Sequence, residues 1–187
     1  MYKIQKNPSA VRSQIKIATS FLTLLKEGHS YKNVSVSDIA DKARIVRKTF
    51  YSNFRSKEDI IAYVVDNTIE NFLKNTDVEH IKYSHLYERL YGFLYSQREF
   101  LVLIHQSNLF DLVEKFATNY FIKNKIYLRY RRFALPRDKS WYYEYLPKLA
   151  STTVFLILRK WVSDNFAESP SALGKLTEDL LLGNLWK

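Results

Sequence analysis

The sequence predicts an all-α fold, and three observations favour it. The chain has 187 residues, of which only four are glycine and four are proline, far fewer than β-hairpins and βαβ turns require. Hydrophobic residues make up 47% and charged residues 26% of the chain, which is the balance of a folded globular protein. Apolar residues also recur at helical spacing through most of the sequence.

Capping residues define the first predicted helix. It begins at Asn7-Pro8, an N-cap followed by proline at the first helical position. It ends at Gly28, where a left-handed cap is expected. Its apolar stripe consists of Val11, Ile15, Ala18, Leu22 and Leu25.

Two Ser-x-x-Asp sequences mark the starts of later helices. Residues 35–38 form a capping-box pattern that begins a short second helix. After a break at residues 44–46, a third helix runs from Arg47 to about Asn53. Residues 56–59 repeat the cap and begin a fourth helix. Two short helices joined by a short break are typical of a helix-turn-helix.

The rest of the chain is predicted to form a C-terminal helical bundle. Pro147 lies inside the predicted helix at 139–165, so a new helix could begin at Pro147 instead of continuing through it. The predicted spans are 79–96, 98–106, 108–133, 139–165 and 170–183.

Several functional classes are excluded by what the sequence lacks. It has no cysteine, no G-x-S-x-G, no phosphate-binding glycine loop and no metal-ligand cluster, so we expect neither an enzyme nor a bound cofactor or metal. No apolar run reaches the roughly 18 residues that a membrane span requires, and the N-terminus lacks a signal-peptide core. The expected location is therefore cytoplasmic.

Charge is concentrated in the first third of the chain. The net charge is +10, and residues 1–60 hold twelve Lys/Arg against five Asp/Glu, a net +7, whereas residues 61–187 hold seventeen against fourteen. Such an asymmetry indicates a polyanionic partner, either nucleic acid or an anionic membrane surface.

The third helix has one apolar face and one polar face. At 100° per residue, Phe50 and Phe54 lie about 40° apart on the inner face. Lys48 and Ser52 point nearly opposite, with Thr49 and Tyr51 beside them and with Arg47 and Asn53 at the margins. These groups could contact phosphates and base edges in a major groove. A solvated helix face explains the same pattern.

Lys57 favours the nucleic-acid interpretation. A cation in the first turn of a helix is disfavoured by the helix dipole. The cation would be favourable if it bound a phosphate together with the free N–H groups at the helix start. Ser35 and Ser37 could contact phosphates in the same way, although ordinary capping explains Ser35 equally well.

Residues 35–59, SVSDIADKARIVRKTFYSNFRSKED, resemble the DNA-binding segment of TetR-type transcriptional regulators. The resemblance implies a helix-turn-helix DNA-binding domain at residues 1–55 and an effector-binding and dimerisation domain at residues 56–187. It further implies a homodimer formed through the last two helices, a near-palindromic double-stranded DNA operator, repression as the usual mode, and an unidentified small-molecule effector. By motif position, the resemblance places Arg47, Lys48, Thr49, Tyr51, Ser52 and Asn53 on or beside the recognition helix and Lys57 at a phosphate. Together with Ser35 and Ser37, and with Arg44, which could reach a phosphate from the turn, these are the expected DNA-contacting residues.

Three positions depart from the family pattern. Arg44 replaces the turn glycine, and a positive φ there would cost about 1 kcal/mol. Val46 replaces the residue that usually caps the recognition helix, at a similar cost. Asn53 stands where relatives carry histidine or tyrosine. The first two departures predict either a rearranged turn or a looser recognition helix.

The C-terminal region carries weaker signals. Its candidate effector contacts are Phe93, His105, Tyr127 and Trp141, although aromatic residues at helical spacing are more often core. For His105, the apolar run of residues 100–104 favours a hydrogen-bonded core histidine over an effector contact. The alternative to a DNA-binding regulator is a basic structural or membrane-surface module that binds polyanions without sequence preference.

Overall fold

The computed structural model describes residue 2 and residues 7–77, 81, 83–124 and 142–182. Throughout these ranges the regular structure is helical, and the predicted all-α fold class is confirmed. The described helices are α1 (Pro8–Lys26), α2 (Val36–Lys42), α3 (Arg47–Asn53), α4 (Lys57–Lys74), α5 (Tyr83–Ser96), α6 (Arg98–Gln106), α7 (Phe110–Lys123), α8 (Tyr142–Ser163) and α9 (Pro170–Leu182).

The chain divides into two compact units, residues 1–67 and residues 68–187. The division falls inside α4, whereas the sequence-based boundary lay just before this helix. The first half of α4 belongs to the N-terminal unit, where the Tyr63 ring packs edge-on against the Phe54 ring with centroids 5.6 Å apart. We call residues 1–67 the head.

Most helix boundaries agree with the predicted ones. The helix predicted at 98–106 is α6, and the last predicted helix begins at Pro170 as expected. Continuity of α8 through Pro147 shows that no new helix begins there. The end of the span predicted at 108–133 lies outside the described residues.

The buried face of α1 differs from the predicted stripe. Ile17 and Phe21 are fully buried, whereas Ile15 is 52% exposed, because Ile15 lies about 160° around the helix from Ile17. Gln14 and Ser20 are also buried on the inner side. Because these two buried residues are polar, a search for apolar residues at helical spacing did not identify the buried face of α1.

Two predicted caps of the head are confirmed, the cap at Gly28 after α1 and the capping box at the start of α2. Gly28 has φ 88°, and the N–H groups of Gly28 and His29 donate to the carbonyls of Leu25 and Leu24, at 3.1 Å each. This pair of bonds is a Schellman motif. At the start of α2, Ser35 Oγ accepts from the Asp38 N–H, and the Asp38 carboxylate accepts from the Ser35 N–H, which completes the capping box.

In the C-terminal unit, α5 and α9 pack closely against each other. A Cβ added at Gly174 would lie 2.5 Å from the backbone nitrogen of Glu88, so only glycine fits at this crossing. Nearby, the buried hydroxyls of Tyr91 and Thr177 are hydrogen-bonded at 2.9 Å. Burial raises the pKa of Tyr91 to about 12. None of the described helices has the length and hydropathy that crossing a membrane would take.

Candidate nucleic-acid interface

The α3 helix is anchored in the head by its apolar face. Phe50 is fully buried and Phe54 is 1% exposed, and their ring centroids are 6.0 Å apart. Tyr2 packs against the same cluster, 6.2 Å from Phe54, and its hydroxyl donates to Asp66 at 2.8 Å. These contacts fix the rotation of α3 and therefore determine which side chains face outward.

The outward face of α3 carries the residues that the sequence placed there. Arg47, Lys48 and Ser52 are exposed and Thr49 is half-buried. Tyr51 is 48% exposed, and the edge of its ring packs against Phe50 at 5.5 Å. The sequence RKTFYSN of α3 contains no acid, so the face presents cations and hydroxyls without a repelling carboxylate.

Asn53 does not share that face. It is only 4% exposed, and its Nδ2 donates to the Thr49 carbonyl at 2.8 Å. Asn53 lies about 60° from Phe50 around the helix, and the core of the head extends far enough to cover it. From its position on the helix alone, Asn53 could be placed only at the margin between the two faces.

The turn before α3 has a positive φ at Arg44, the position where the family pattern carries glycine. Arg44 has φ 48°, its N–H donates to the Asp41 carbonyl at 2.9 Å, and the Ile45 N–H donates to the Ala40 carbonyl at 3.0 Å. This is the same Schellman motif that Gly28 forms at the end of α1. The expectation of a rearranged turn is therefore wrong. The exposed Arg44 adopts the left-handed conformation at an energetic cost.

Val46 is exposed, whereas the sequence indicates only that a capping side chain is missing at this position. It occupies the N-cap position of α3 with φ −79° and ψ 149° and makes no side-chain cap hydrogen bond. Its side chain is 68% exposed. Helical periodicity could not predict this exposure, because Val46 lies in the break between α2 and α3.

Lys57 is held by the head itself. Its Nζ donates to the backbone carbonyls of Tyr31, Lys32 and Val34 at 2.6, 3.1 and 3.1 Å, and it lies 4.5 Å from the centre of the Tyr31 ring. Three acceptors match the three N–H groups of an ammonium. The cation thus joins the α1–α2 loop to the start of α4, and a phosphate contact by Lys57 stays a prediction.

Glu58 extends this network, which we call the loop lock (Tyr31, Lys57 and Glu58). The Tyr31 hydroxyl donates to Glu58 Oε1 at 2.7 Å. Burial, followed by the hydrogen bond to Glu58, raises the pKa of Tyr31. Burial also raises the pKa of Glu58, but hydrogen bonds from Ser56 and Tyr31 and the charge of Lys57 together bring it below its usual value. The only sequence signal for this network was the cation in the first turn of α4.

The two serines of α2 differ in their surroundings. Ser35 is exposed, and its hydroxyl donates to Asp38 Oδ2 at 2.8 Å, so capping accounts for its side chain. Ser37 is half-buried in the first turn of α2. A phosphate contact by either serine stays a prediction.

The candidate effector residues do not form one group among the described residues. Phe93 is half-buried and packs against Phe72 at 5.4 Å. His105 is exposed in the last turn of α6, 6.0 Å from the Phe110 ring, so the core interpretation of this histidine is wrong. Tyr127 and Trp141 lie outside the described residues. An effector role for any of the four stays a prediction.

Comparison with known proteins agrees with this geometry. Residues 25–64, from the end of α1 to the first half of α4, match the family model of bacterial regulatory proteins, tetR family. These residues are a TetR-type segment. The match contains the loop lock, the turn at Arg44 and all of α3, and it confirms the resemblance first seen in residues 35–59.

Relatives extend the comparison beyond the TetR-type segment. The HTH-type dhaKLM operon transcriptional activator DhaS of Lactococcus lactis subsp. lactis (strain IL1403) is 30% identical over 66 residues, which is 35% of this chain and 35% of that relative. The alignment thus spans about a third of each protein. That relative is named as a transcriptional activator.

Solved structures support the same fold over nearly the whole chain. The dihydroxyacetone kinase operon activator DhaS has a TM-score of 0.57 at 19% identity and covers 93% of this chain and 96% of its own. The fatty acid degradation regulator FadR from Bacillus halodurans has a TM-score of 0.55 at 20% identity, with coverages of 98% and 99%. At these identities the likeness establishes the fold alone.

Proposed function

We propose that the chain is a dimeric, sequence-specific DNA-binding transcriptional regulator whose operator binding responds to a small-molecule effector. The observation that carries the proposal is the outward face of α3, where Arg47, Lys48 and Tyr51 are exposed on a helix anchored by buried phenylalanines. The TetR-type segment supports the assignment of this face to DNA.

The chemistry of the face suits a major groove. Arg47 and Lys48 donate to phosphates and to guanine acceptors, and the hydroxyls of Thr49 and Tyr51 can exchange hydrogen bonds with base edges. Arg44 lies in the turn beside α3 and is exposed, so it is proposed to contact a phosphate next to the groove. Asn53 is left out of the proposed interface because its side chain is buried.

Homodimerisation through α8 and α9 is supported by an apolar stripe. On α8, Tyr145, Leu149 and Leu156 are 64%, 58% and 69% exposed and lie within about 40° of one another around the helix. On α9, Leu176 and Leu180 are 39% and 43% exposed. We call these five residues the apolar stripe. A second copy of the chain would bury it.

A dimer would present two α3 helices to successive major grooves of a near-palindromic operator. An effector that binds one dimer conformation more tightly than the other would shift operator affinity. Repression is the mode that the family resemblance implies. DhaS is named as an activator, so a promoter assay of this chain should test for both repression and activation of transcription.

The test is competition binding with full-length protein on DNA from upstream of its own gene. Binding that survives scrambled competitor, with one dimer per site, supports the regulator. Equal and weak binding to both DNAs, together with binding to anionic vesicles, supports the alternative, a basic module that binds polyanions without sequence readout.

A further inference from the structure

The turn from Arg44 to Val46 departs from two local rules, one at its first residue and one at its last. Arg44 adopts a positive φ that glycine would adopt without strain. Val46 stands at a cap position and provides no side-chain acceptor for the amides of α3, where serine or threonine would provide one. Proteins break such rules chiefly where a functional requirement outweighs them.

The exposure of Val46 points to a partner group that is apolar. At 68%, Val46 is more exposed than Ile15 (52%) or Tyr51 (48%), the other large hydrophobic residues that the described part of the head leaves exposed. Its sequence neighbours Arg47 and Lys48 are exposed cations. An aliphatic group among cations fits a surface that is anionic overall but carries isolated apolar groups.

The DNA major groove is such a surface. Its rims are phosphates, and the one apolar group that its base edges present is the 5-methyl group of thymine. We propose that Val46 contacts a thymine methyl in each operator half-site and makes thymine preferred at that position. This inference rests on the proposed DNA binding, and it adds a specificity-determining residue outside α3.

The test begins with binding-site selection from a randomised duplex library, using the full-length chain and its Val46→Ala variant. Each thymine of the selected site is then replaced, one at a time, by uracil. This change removes the methyl group and keeps every hydrogen-bonding group of the base pair. Ile15→Ala is the matched control, because it also truncates an exposed aliphatic residue of the head.

We expect the wild-type chain and Ile15→Ala to lose about fourfold in affinity at one thymine per half-site. That loss corresponds to about 0.8 kcal/mol, the transfer free energy of one methylene-sized group. Val46→Ala should bind the thymine and uracil duplexes equally and should select no thymine at that position. Val46→Ser, which restores a capping side chain, should show the same loss of preference and thereby exclude misfolding of α3 as the cause.

Three different results are contrary to the proposal. If Val46→Ala still binds the thymine duplex more tightly than the uracil duplex, a group other than Val46 contacts the methyl group. If wild-type protein selects a motif but tolerates uracil at every thymine, Val46 does not contact a methyl group, although the chain still binds DNA specifically. If wild-type protein selects no motif at all, the proposed function fails, and the role of Val46 fails with it.

Discussion

At the scale of single residues, the head shows one backbone motif with two different residues. Gly28 and Arg44 both follow a helix, both have positive φ and both form the paired hydrogen bonds of a Schellman motif. Glycine adopts this conformation without steric cost, whereas arginine brings its Cβ close to the following carbonyl oxygen. The positive φ of Arg44 therefore destabilises the folded head. A contact of the arginine side chain with a group outside the turn would offset this cost.

Replacing Arg44 with glycine should stabilise the head and weaken DNA binding. We expect the free energy of unfolding to rise by about 0.5–1 kcal/mol, because the strain of a left-handed non-glycine residue is relieved. Chemical denaturation and DNA titration of the same preparation measure both quantities. Arg44→Gly that is less stable than wild type would show that the arginine side chain stabilises the turn.

At the scale of elements, the head is held together by polar groups as well as by its core. The loop lock connects the loop after α1 to the first turn of α4 through the ammonium of Lys57 and the hydroxyl of Tyr31. Backbone carbonyls that lose such a donor are left without compensation where they are buried. The loop lock explains why a cation occupies a position where the helix dipole opposes it.

Replacing Lys57 with methionine tests the structural role of the loop lock. The aliphatic stem is kept and the three N–H donors are removed, so we expect the free energy of unfolding to fall by about 1–3 kcal/mol. Lys16→Met on the exposed side of α1 is the matched control and should change stability by less than about 0.5 kcal/mol. Equal stability of the two variants would mean that the carbonyl contacts of Lys57 contribute nothing.

The pKa of Glu58 predicts how the head responds to acid. Because this pKa is lower in the folded chain than in the unfolded chain, the folded state binds the proton less readily. The contribution of Glu58 to stability is complete above the ordinary glutamate value of about 4.3 and is lost as pH falls through the folded-state value. Glu58→Gln should therefore flatten the acid limb of thermal stability, measured as Tm against pH. An unchanged acid limb would contradict the assignment.

At the scale of the whole molecule, the sequence predicted elements better than surfaces. Caps are local, so Gly28, Ser35 and Pro170 could be read directly from the chain. The buried side of α1 was predicted incorrectly because burial depends on neighbours that are distant in sequence. In this chain the polar residues Gln14 and Ser20 lie on the buried face. The same limit explains Asn53 and Val46, whose burial and exposure depend on how the head packs around α3.

The apolar stripe predicts the assembly state. Leu149→Glu combined with Leu156→Glu should convert a dimer into a monomer, because charges at the centre of an apolar interface cannot be desolvated cheaply. Ser171→Glu, at an exposed position of α9 outside the apolar stripe, is the control and should leave the dimer intact. Sedimentation equilibrium measures whether the double variant and the control are monomers or dimers. A wild-type chain that sediments as a monomer would contradict the proposed dimer.

The central claim is that the outward face of α3 binds DNA, and Lys48 tests it most directly. Affinity for the operator duplex is measured by fluorescence anisotropy at several salt concentrations for wild type, Lys48→Ala and Lys115→Ala, the last an exposed lysine of α7. We predict that Lys48→Ala binds more weakly and that its slope of log affinity against log salt is shallower by about two, one for the Lys48 of each subunit, while Lys115→Ala matches wild type. Identical affinities and slopes for all three proteins would contradict the claim.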